Sequence, residues 1–332
     1  MTVARARPNV SVVIPVFNAE QGLRELHRQL MPALEAVAER FEVILVEDSS
    51  RDGSWDVIRE LVARDPRVHG IRLSRNFGQH NALLCGIRAA RYEVTVTMDD
   101  DLQHPVSEIG ALLAPLAQGF QVVYGTSAEP QHGLWRNVAT YLTKVALRSA
   151  MGTRAATQVS AFRAFPTELR SAFGSYRSPS VSIDVLLTWA TARFTSVPVE
   201  HAARFRGDSN YTARKLITHA FNLMTGFSTR PLQLASLMGF VFTLFGFGVL
   251  AWVVGRYLIS GSAVPGFAFI ASIIAIFSGA QMFTLGIFGE YLARMYGRTM
   301  ERPAYVVLER CEHTEQRDGA RPQDPAARIL AQ

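Results

Sequence analysis

The residues best equipped for chemistry stand in one short run, Met98-Asp99-Asp100-Asp101-Leu102-Gln103-His104-Pro105. Three consecutive carboxylates after an apolar segment repel one another unless a cation compensates. Hard divalent ions take oxygen ligands, and Mg²⁺ commonly uses one or two carboxylates together with substrate phosphates. Alternation along an extended chain predicts that Asp99 and Asp101 share a side. They are the candidate metal pair, with Gln103 as a further amide-oxygen ligand. The same run also reads as a solvated acidic turn before a helix starting near Val106, and a tripeptide alone does not decide.

Two other polar clusters follow apolar segments. Pro15-Val16-Phe17-Asn18-Ala19-Glu20 closes the first, and Glu47-Asp48-Ser49-Ser50-Arg51-Asp52-Gly53 closes the second. Ser50 or Asp52 is equally a helix N-cap. Asp48 directly follows a buried segment and reads as a contact to a nucleotide base or ribose.

These clusters need elements that bring them together. Val10–Phe17, Phe41–Glu47, Val68–Leu73, Val94–Asp99 and Phe120–Tyr124 are short and rich in Val and Ile. They are apolar on both sides, as strands buried on both faces of a parallel sheet are. Between them, Gln21–Glu39, Ser54–Asp65, His80–Ala90 and Val106–Gln118 carry helical spacing. Strands alternating with helices predict an α/β, Rossmann-like, mostly parallel sheet. Ligands bind such sheets at the carboxyl ends of the strands, where all three clusters fall. Leu134–Met151 and Ser180–Ala192 are predicted helices, and Phe194–Val199 a later strand.

Composition narrows the setting. The 332 residues are 48% hydrophobic with a net charge of +6, a balance that suits anionic partners. Cys85 and Cys311 are the two cysteines, which points to a reducing compartment without a disulfide framework. Arg5 and Arg7 precede the apolar Val10–Phe17, but Pro15 breaks that run and no small-residue cleavage site follows, so it reads as a strand rather than a signal peptide. Residues 1–211 form the expected cytosolic catalytic domain. No charged residue lies between Arg230 and Arg256 or between Arg256 and Glu290. A hydrocarbon core of ~30 Å needs about 20 apolar helical residues, so Leu232–Val254 and Phe267–Phe288 are predicted to form a transmembrane hairpin within 231–289. Arg214, Lys215 and Arg230 flank the first span, and Arg294, Arg298 and Arg302 follow the second. The positive-inside rule then puts domain and tail in the cytosol. Thr212–Thr229 is predicted to lie along the membrane surface. The tail, 290–332, is expected to be disordered from about Cys311. Spacing such as Gly279–Phe283 does not set an oligomeric state and leaves a homo-oligomer open.

Ile-Pro-Val-Phe-Asn at 14–18, Glu-Asp-Ser-Ser-x-Asp at 47–52 and Asp-x-Asp-Leu-Gln-His-Pro at 99–105 resemble family-2 glycosyltransferases with the GT-A fold. Arg75-Asn76-Phe77-Gly78-Gln79-His80, the two spans, Gly289-Glu290-Tyr291-Leu292-x-Arg294 and Arg302-Pro303-x-Tyr305 are similar, more narrowly, to the polyprenyl-phosphate glycosyltransferases. The likeness runs from about Val10 to Val307. It implies a nucleotide-diphosphate sugar as donor, a polyprenyl phosphate as acceptor, Mg²⁺ or Mn²⁺ as cofactor, and a multi-pass protein of the inner (cytoplasmic) membrane. By the same resemblance, Pro15, Asn18, Glu20 and Asp48 line the nucleotide pocket and Arg75, Asn76 and Gly78 shape the donor site. Asp99, Asp101 and Gln103 hold the metal, and Arg206, in Arg206-Gly207-Asp208-Ser209, meets phosphate near the membrane. Ser209 belongs to that phosphate site. Arg136, Lys144 and Arg148 share one side of the predicted Leu134–Met151 helix and read as further phosphate partners or, equally, as a solvated basic face. The chain departs from the family pattern at Ser49-Ser50 (usually Gly-Ser), at Asn210 (usually lysine) and at Thr157 (often aspartate).

A lipid monophosphate is largely dianionic at pH 7, so as a nucleophile it needs no general base. Direct in-line attack inverts the sugar anomer. Two other readings compete. A processive polysaccharide synthase of the same superfamily would carry Gln-x-x-Arg-Trp, and none of the four tryptophans here follows Arg. A catalytically impaired membrane scaffold that binds nucleotide sugars would fit Thr157 and Asn210. A nucleic-acid partner is not expected, because the basic residues are not interleaved with aromatics. No dinucleotide or phosphate-loop glycine motif is present.

Overall fold

A computed structural model describes residues 7–127, 159–200, 229–260 and 266–313. Alternating elements build the first half: β1 (Val10–Val16), α1 (Leu23–Val37), β2 (Phe41–Glu47), α2 (Ser54–Arg64), β3 (Val68–Leu73), α3 (Gln79–Ala89) and β4 (Val94–Thr97). A 3₁₀ turn, Val106–Glu108, leads into α4 (Ile109–Leu116), and then come β5 (Val122–Ser127), β6 (Arg163–Pro166), a 3₁₀ segment (Thr167–Phe173), α5 (Ile183–Ala190) and β7 (Phe194–Val199). Two long helices, α6 (Arg230–Ser260) and α7 (Phe267–Thr299), precede β8 (Val307–Cys311).

One eight-stranded sheet has the order β7-β5-β6-β4-β1-β2-β3-β8. β1 pairs in parallel with β2 and β4, and β2 with β3. β6 and β8 are the antiparallel members. Every residue of β1 and β2 is buried. Val12, Ile14 and Val16 pack into one core with α1, α2 and α4, while Val13 packs into a second with α3 and α5. This is the two-residue period of a strand with helices on both faces.

α3 sits unusually close to the sheet. A Cβ on Gly86 would collide with Val13 Cγ1 and lie 3.0 Å from Val46 Cγ2. The glycine therefore fixes the height of the whole helix above β1 and β2. At the end of α2, the Asp65 carboxylate accepts from the Arg67 backbone N–H, Nε and Nη2 at 3.0, 2.9 and 2.8 Å. Those bonds hold its carboxyl down at about 2.

α6 and α7 run antiparallel, with the rings of Phe242 and Phe277 5.7 Å apart. Leu232–Ile259 is long and apolar enough to cross a bilayer and is the one such segment among the described residues, with a mean hydropathy of 2.2 and no burial. Its exposed Phe240, Phe247 and Leu258 need an apolar environment. α7 likewise exposes Ile274, Phe283 and Leu285.

Several boundaries differ from expectation. β4 stops at Thr97 rather than Asp99. Strand alternation therefore does not govern Asp99 and Asp101, which lie in the following loop. The segment expected as one helix from Val106 begins with a separate 3₁₀ turn. α7 continues eleven residues past Phe288, to Thr299. The tail opens with a strand the sequence reading did not predict, β8 over Val307–Cys311. It forms because β3 would otherwise be an open edge, and an open edge takes up a strand through its free N–H and C=O groups. The predicted Leu134–Met151 and Thr212–Thr229 helices and the tail beyond residue 313 lie outside the described residues.

β8 runs antiparallel to β3, pairing Leu73 with Val307 and Gly70 with Cys311. The chain coming from α7 therefore joins the sheet at the carboxyl end of β3, where Ser74 N–H donates to Val306 O at 2.9 Å. β7, parallel to β5, ends at Val199 on the same edge.

Two expected outcomes follow. Gly86→Ala destabilises the protein by about 1–3 kcal/mol through overpacking, seen as a lower thermal midpoint in detergent. Asp65 has a lowered carboxyl pKa, so its stabilisation is present above the ordinary carboxylate range and is lost as pH falls towards about 2. Asp65→Asn is expected to lower the midpoint at pH 7, and the gap to the unsubstituted protein to close between about pH 4 and 2.

Candidate donor-binding pocket at the carboxyl edge

The carboxyl ends of β1, β2 and β4 lie side by side, because these strands are parallel neighbours. The loops that follow them carry left-handed backbone at non-glycine residues: Asn18 (φ 54), Ser49 (φ 57) and Leu102 (φ 59). Left-handed conformations at such residues cost of order 1 kcal/mol or more and collect at functional sites.

Hydrogen bonds explain how the loops hold these shapes. Asn18 N–H donates to Ser50 Oγ at 3.0 Å, and Asn18 Oδ1 accepts from Arg51 N–H at 2.9 Å. Glu20 N–H donates to Asp52 Oδ2 at 3.2 Å, and Glu20 Oε2 accepts from Gly53 N–H at 3.0 Å. Asn18 and Glu20 thus tie the β1 loop to the β2 loop. Asp48 accepts from the Phe77 and Gly78 N–H groups, both at 2.7 Å. Burial raises its carboxyl above the ordinary range despite those two bonds and the nearby Arg75. Gly78, at φ 95, supplies the positive φ that starts α3. The Arg75 guanidinium lies 4.3 Å from the centre of the Phe77 ring.

The acidic loop is anchored at its middle residue. Asp100 Oδ2 accepts from Phe17 N–H at 3.1 Å. Burial, aided by the adjacent Asp99 and Asp101 charges, pushes the Asp100 carboxyl up to about 7. Asp99 Oδ1 accepts from Gln79 Nε2 at 2.5 Å, and Asp101 Oδ1 accepts from Gln103 N–H at 3.1 Å.

Pro15, Asp48, Asn76, Gly78, Asp99 and Asp101 line one cavity of about 240 Å³, together with Val16, Phe17, Gln79 and Asp100. Asn18, Glu20, Arg75 and Gln103 are not among its lining residues; the first two brace the loops behind it. Arg206, Ser209, Arg136 and Lys144, and the departures Thr157 and Asn210, lie outside the described residues. A larger cavity of about 1070 Å³ sits at the opposite end of the strands, against Asn9, Val94 and Thr167. Its lining mixes Glu93 and Glu168 with Arg7, Arg91 and Arg170, and ligands of parallel α/β sheets bind at the carboxyl edge.

Two residues in the pocket escaped the sequence reading. Gln79 stood in the Arg75–His80 run with no assigned role, and its partner lies across the sheet edge. Asp100 lost out to its neighbours under strand alternation, which fails in a loop. Beneath the acidic loop is a buried polar network. Thr97 Oγ1 donates to Ala161 O at 2.8 Å and accepts from Arg163 Nε at 3.0 Å, and Arg163 pairs with Asp184. Asp184 also accepts from Tyr124 Oη at 3.0 Å. The network fixes the last residue of β4.

The donor set suits a hard cation. Among the described residues no three His, Cys, Asp or Glu side chains form a ready cage. Mg²⁺ does not need one, since it is held by one or two carboxylates with water and phosphate oxygens. Three adjacent carboxyl groups are a charge excess that a cation would relieve.

The glycosyl transferase family 2 model matches residues 11–175, the segment containing all of these loops. An undecaprenyl-phosphate 4-deoxy-4-formamido-L-arabinose transferase of Pseudomonas syringae is 35% identical over 301 residues, 90% of this chain and 89% of the relative. The enzyme of that name from Pectobacterium carotovorum is 35% identical over 303 residues, 90% of this chain and 92% of the relative. The chain belongs to glycosyl transferase family 2. Among solved structures, glucosyl-3-phosphoglycerate synthase of Mycobacterium tuberculosis, in complex with Mn²⁺, UDP and product, superposes with a TM-score of 0.48 at 20% identity. It covers 66% of this chain and 78% of that one.

In this glycosyltransferase, Asp48→Ala is expected to release the Phe77 and Gly78 amides, leaving two donors unpaired at about 1–3 kcal/mol each if they stay buried. Hydrogen–deuterium exchange at Phe77 and Gly78 should rise strongly, and less so in Asp48→Asn.

Proposed function

We propose that this family 2 glycosyltransferase transfers a single sugar from a nucleotide-diphosphate sugar to a polyprenyl phosphate of the undecaprenyl type, with inversion. The reaction takes place at the cytosolic face of the inner membrane, where the sugar enters cell-envelope lipid modification. One observation carries the reading: the acidic pocket opens on the sheet edge from which the chain departs for α6 and to which it returns from α7. Six residues lie between Thr299 and Val306, seven steps that span at most about 25 Å, so the end of α7 lies within that distance of the strand tip beside the pocket. The names of the curated relatives make 4-deoxy-4-formamido-L-arabinose the first sugar to test.

Asp99 and Asp101, with Gln103, are the residues proposed to hold Mg²⁺ or Mn²⁺. A cation bound there would offset the charge developing on the departing diphosphate. Pro15, Asp48, Asn76 and Gly78 form the wall for the nucleotide, and Arg75 stands at its rim. Asn18 and Glu20 serve by holding the β1 and β2 loops in register. The acceptor phosphate is a dianion and attacks without a general base. Arg206, Ser209, Arg136 and Lys144 are its proposed partners, since cations must offset repulsion between two phosphorylated substrates. Arg230, Arg294 and Arg298 bracket the hairpin, which supports a cytosolic catalytic domain.

A screen of nucleotide sugars against membranes containing undecaprenyl phosphate, read by mass detection of the glycolipid, tests this. One sugar per lipid is expected. Asp101→Ala should lower transfer by about a hundredfold or more while the protein stays folded and membrane-bound. A polymeric product, or near-normal turnover in that variant, would overturn the proposal.

A further inference from the structure

Gln79 offers a hydrogen bond to one of the two proposed cation ligands, and its surroundings make it the firmer of the pair. It is the first residue of α3, a helix set against β1 and β2 by the close approach of Gly86. Its N-terminal end is pinned from two further directions. Asp48 takes the N–H groups of Phe77 and Gly78, and Asn81 Nδ2 donates to Phe77 O at 2.7 Å and to Pro179 O at 3.2 Å. Asp99, by contrast, lies two residues beyond the end of β4, in a loop anchored at Asp100 and bent at Leu102. The 2.5 Å bond from Gln79 Nε2 to Asp99 Oδ1 therefore carries the rigidity of α3 into the acidic loop.

The chemistry of the group fits that task. A carboxamide donates a hydrogen bond yet carries no charge, so it orients a carboxylate without neutralising it. A lysine in its place would form an ion pair with Asp99 and compete with a cation. One oxygen of Asp99 accepts from the amide, and the carboxylate keeps its charge. Partners that orient metal ligands in this way are worth about tenfold to a hundredfold in metal affinity when lost.

We infer that Gln79 is a positioning residue for the cation site, orienting the Asp99 carboxylate across the gap between α3 and β4. The inference rests on the proposed role of Asp99 and Asp101 as cation ligands. Because Gln79 is exposed, its replacement leaves the core untouched.

Mn²⁺ binding to the full-length protein in detergent, followed by electron paramagnetic resonance, separates the two ideas without requiring turnover. Gln79→Met keeps the length of the side chain and removes the donor; Gln79→Ala removes both. Each is expected to raise the Mn²⁺ dissociation constant by about tenfold to a hundredfold, with an unchanged thermal midpoint. Gln79→Lys is expected to abolish binding. Mn²⁺ affinities within twofold of the unsubstituted protein in the Met and Ala variants, alongside lost binding in Asp101→Ala, would overturn the role of Gln79 alone. Retained binding in Asp101→Ala, or none in the unsubstituted protein, would overturn the cation reading and this inference with it.

Discussion

Asp99, Asp100 and Asp101 crowd three carboxyl groups into the first turn of chain beyond a largely buried strand, and the rest of the carboxyl edge is arranged around them. Asp100 is drawn inward onto the Phe17 amide and is held near neutrality by burial. Its two neighbours line the pocket beside it. The loop is braced from below by Thr97 through Arg163 and Asp184, and from the side by Gln79. A strand tip with this much like charge is costly unless something positive completes it. A divalent cation is the complement proposed above, and three braces, from Phe17, Thr97 and Gln79, hold the loop that would carry it.

The same edge of the sheet also answers to the membrane. β8 closes the β3 edge, and Val306, seven positions past the end of α7, meets Ser74 next to the Arg75–Gly78 loop that Asp48 holds. Trp55 Nε1 adds a bond to Glu309 Oε2 at 3.1 Å, so β8 is fastened by a side chain as well as by its ladder. The hairpin and the donor loop are thus consecutive parts of one hydrogen-bonded structure.

Much of this was legible in the residues. β1 to β3 announced themselves as Val- and Ile-rich runs without a polar face, and the strand-end clusters followed from them. The failures share a cause: each depended on contacts distant in sequence. β6 has four residues and exists because β4 offers an antiparallel partner. β8 shows an exposed, charged pattern typical of an edge strand, which reads as a polar tail until β3 is placed beside it. Asp99 and Asp101 were paired by an alternation that stops at Thr97. They line one pocket nonetheless, because the left-handed turn at Leu102 folds their loop back over the β1 tip. Asp48 read as a ligand contact, yet both of its oxygens accept backbone amides, so its first task is to shape the donor loop. Gln79 has no signal of its own, since an isolated glutamine at a helix start is an ordinary surface residue.

Cation and sugar nucleotide are proposed to share the pocket formed by the tips of β1, β2 and β4. Calorimetric titration of the active sugar nucleotide onto the purified protein, first with Mn²⁺ and then with excess chelator, tests it most directly. Binding in the presence of Mn²⁺ that is lost or greatly weakened by the chelator is the expected result. Equal affinity under both conditions would contradict it.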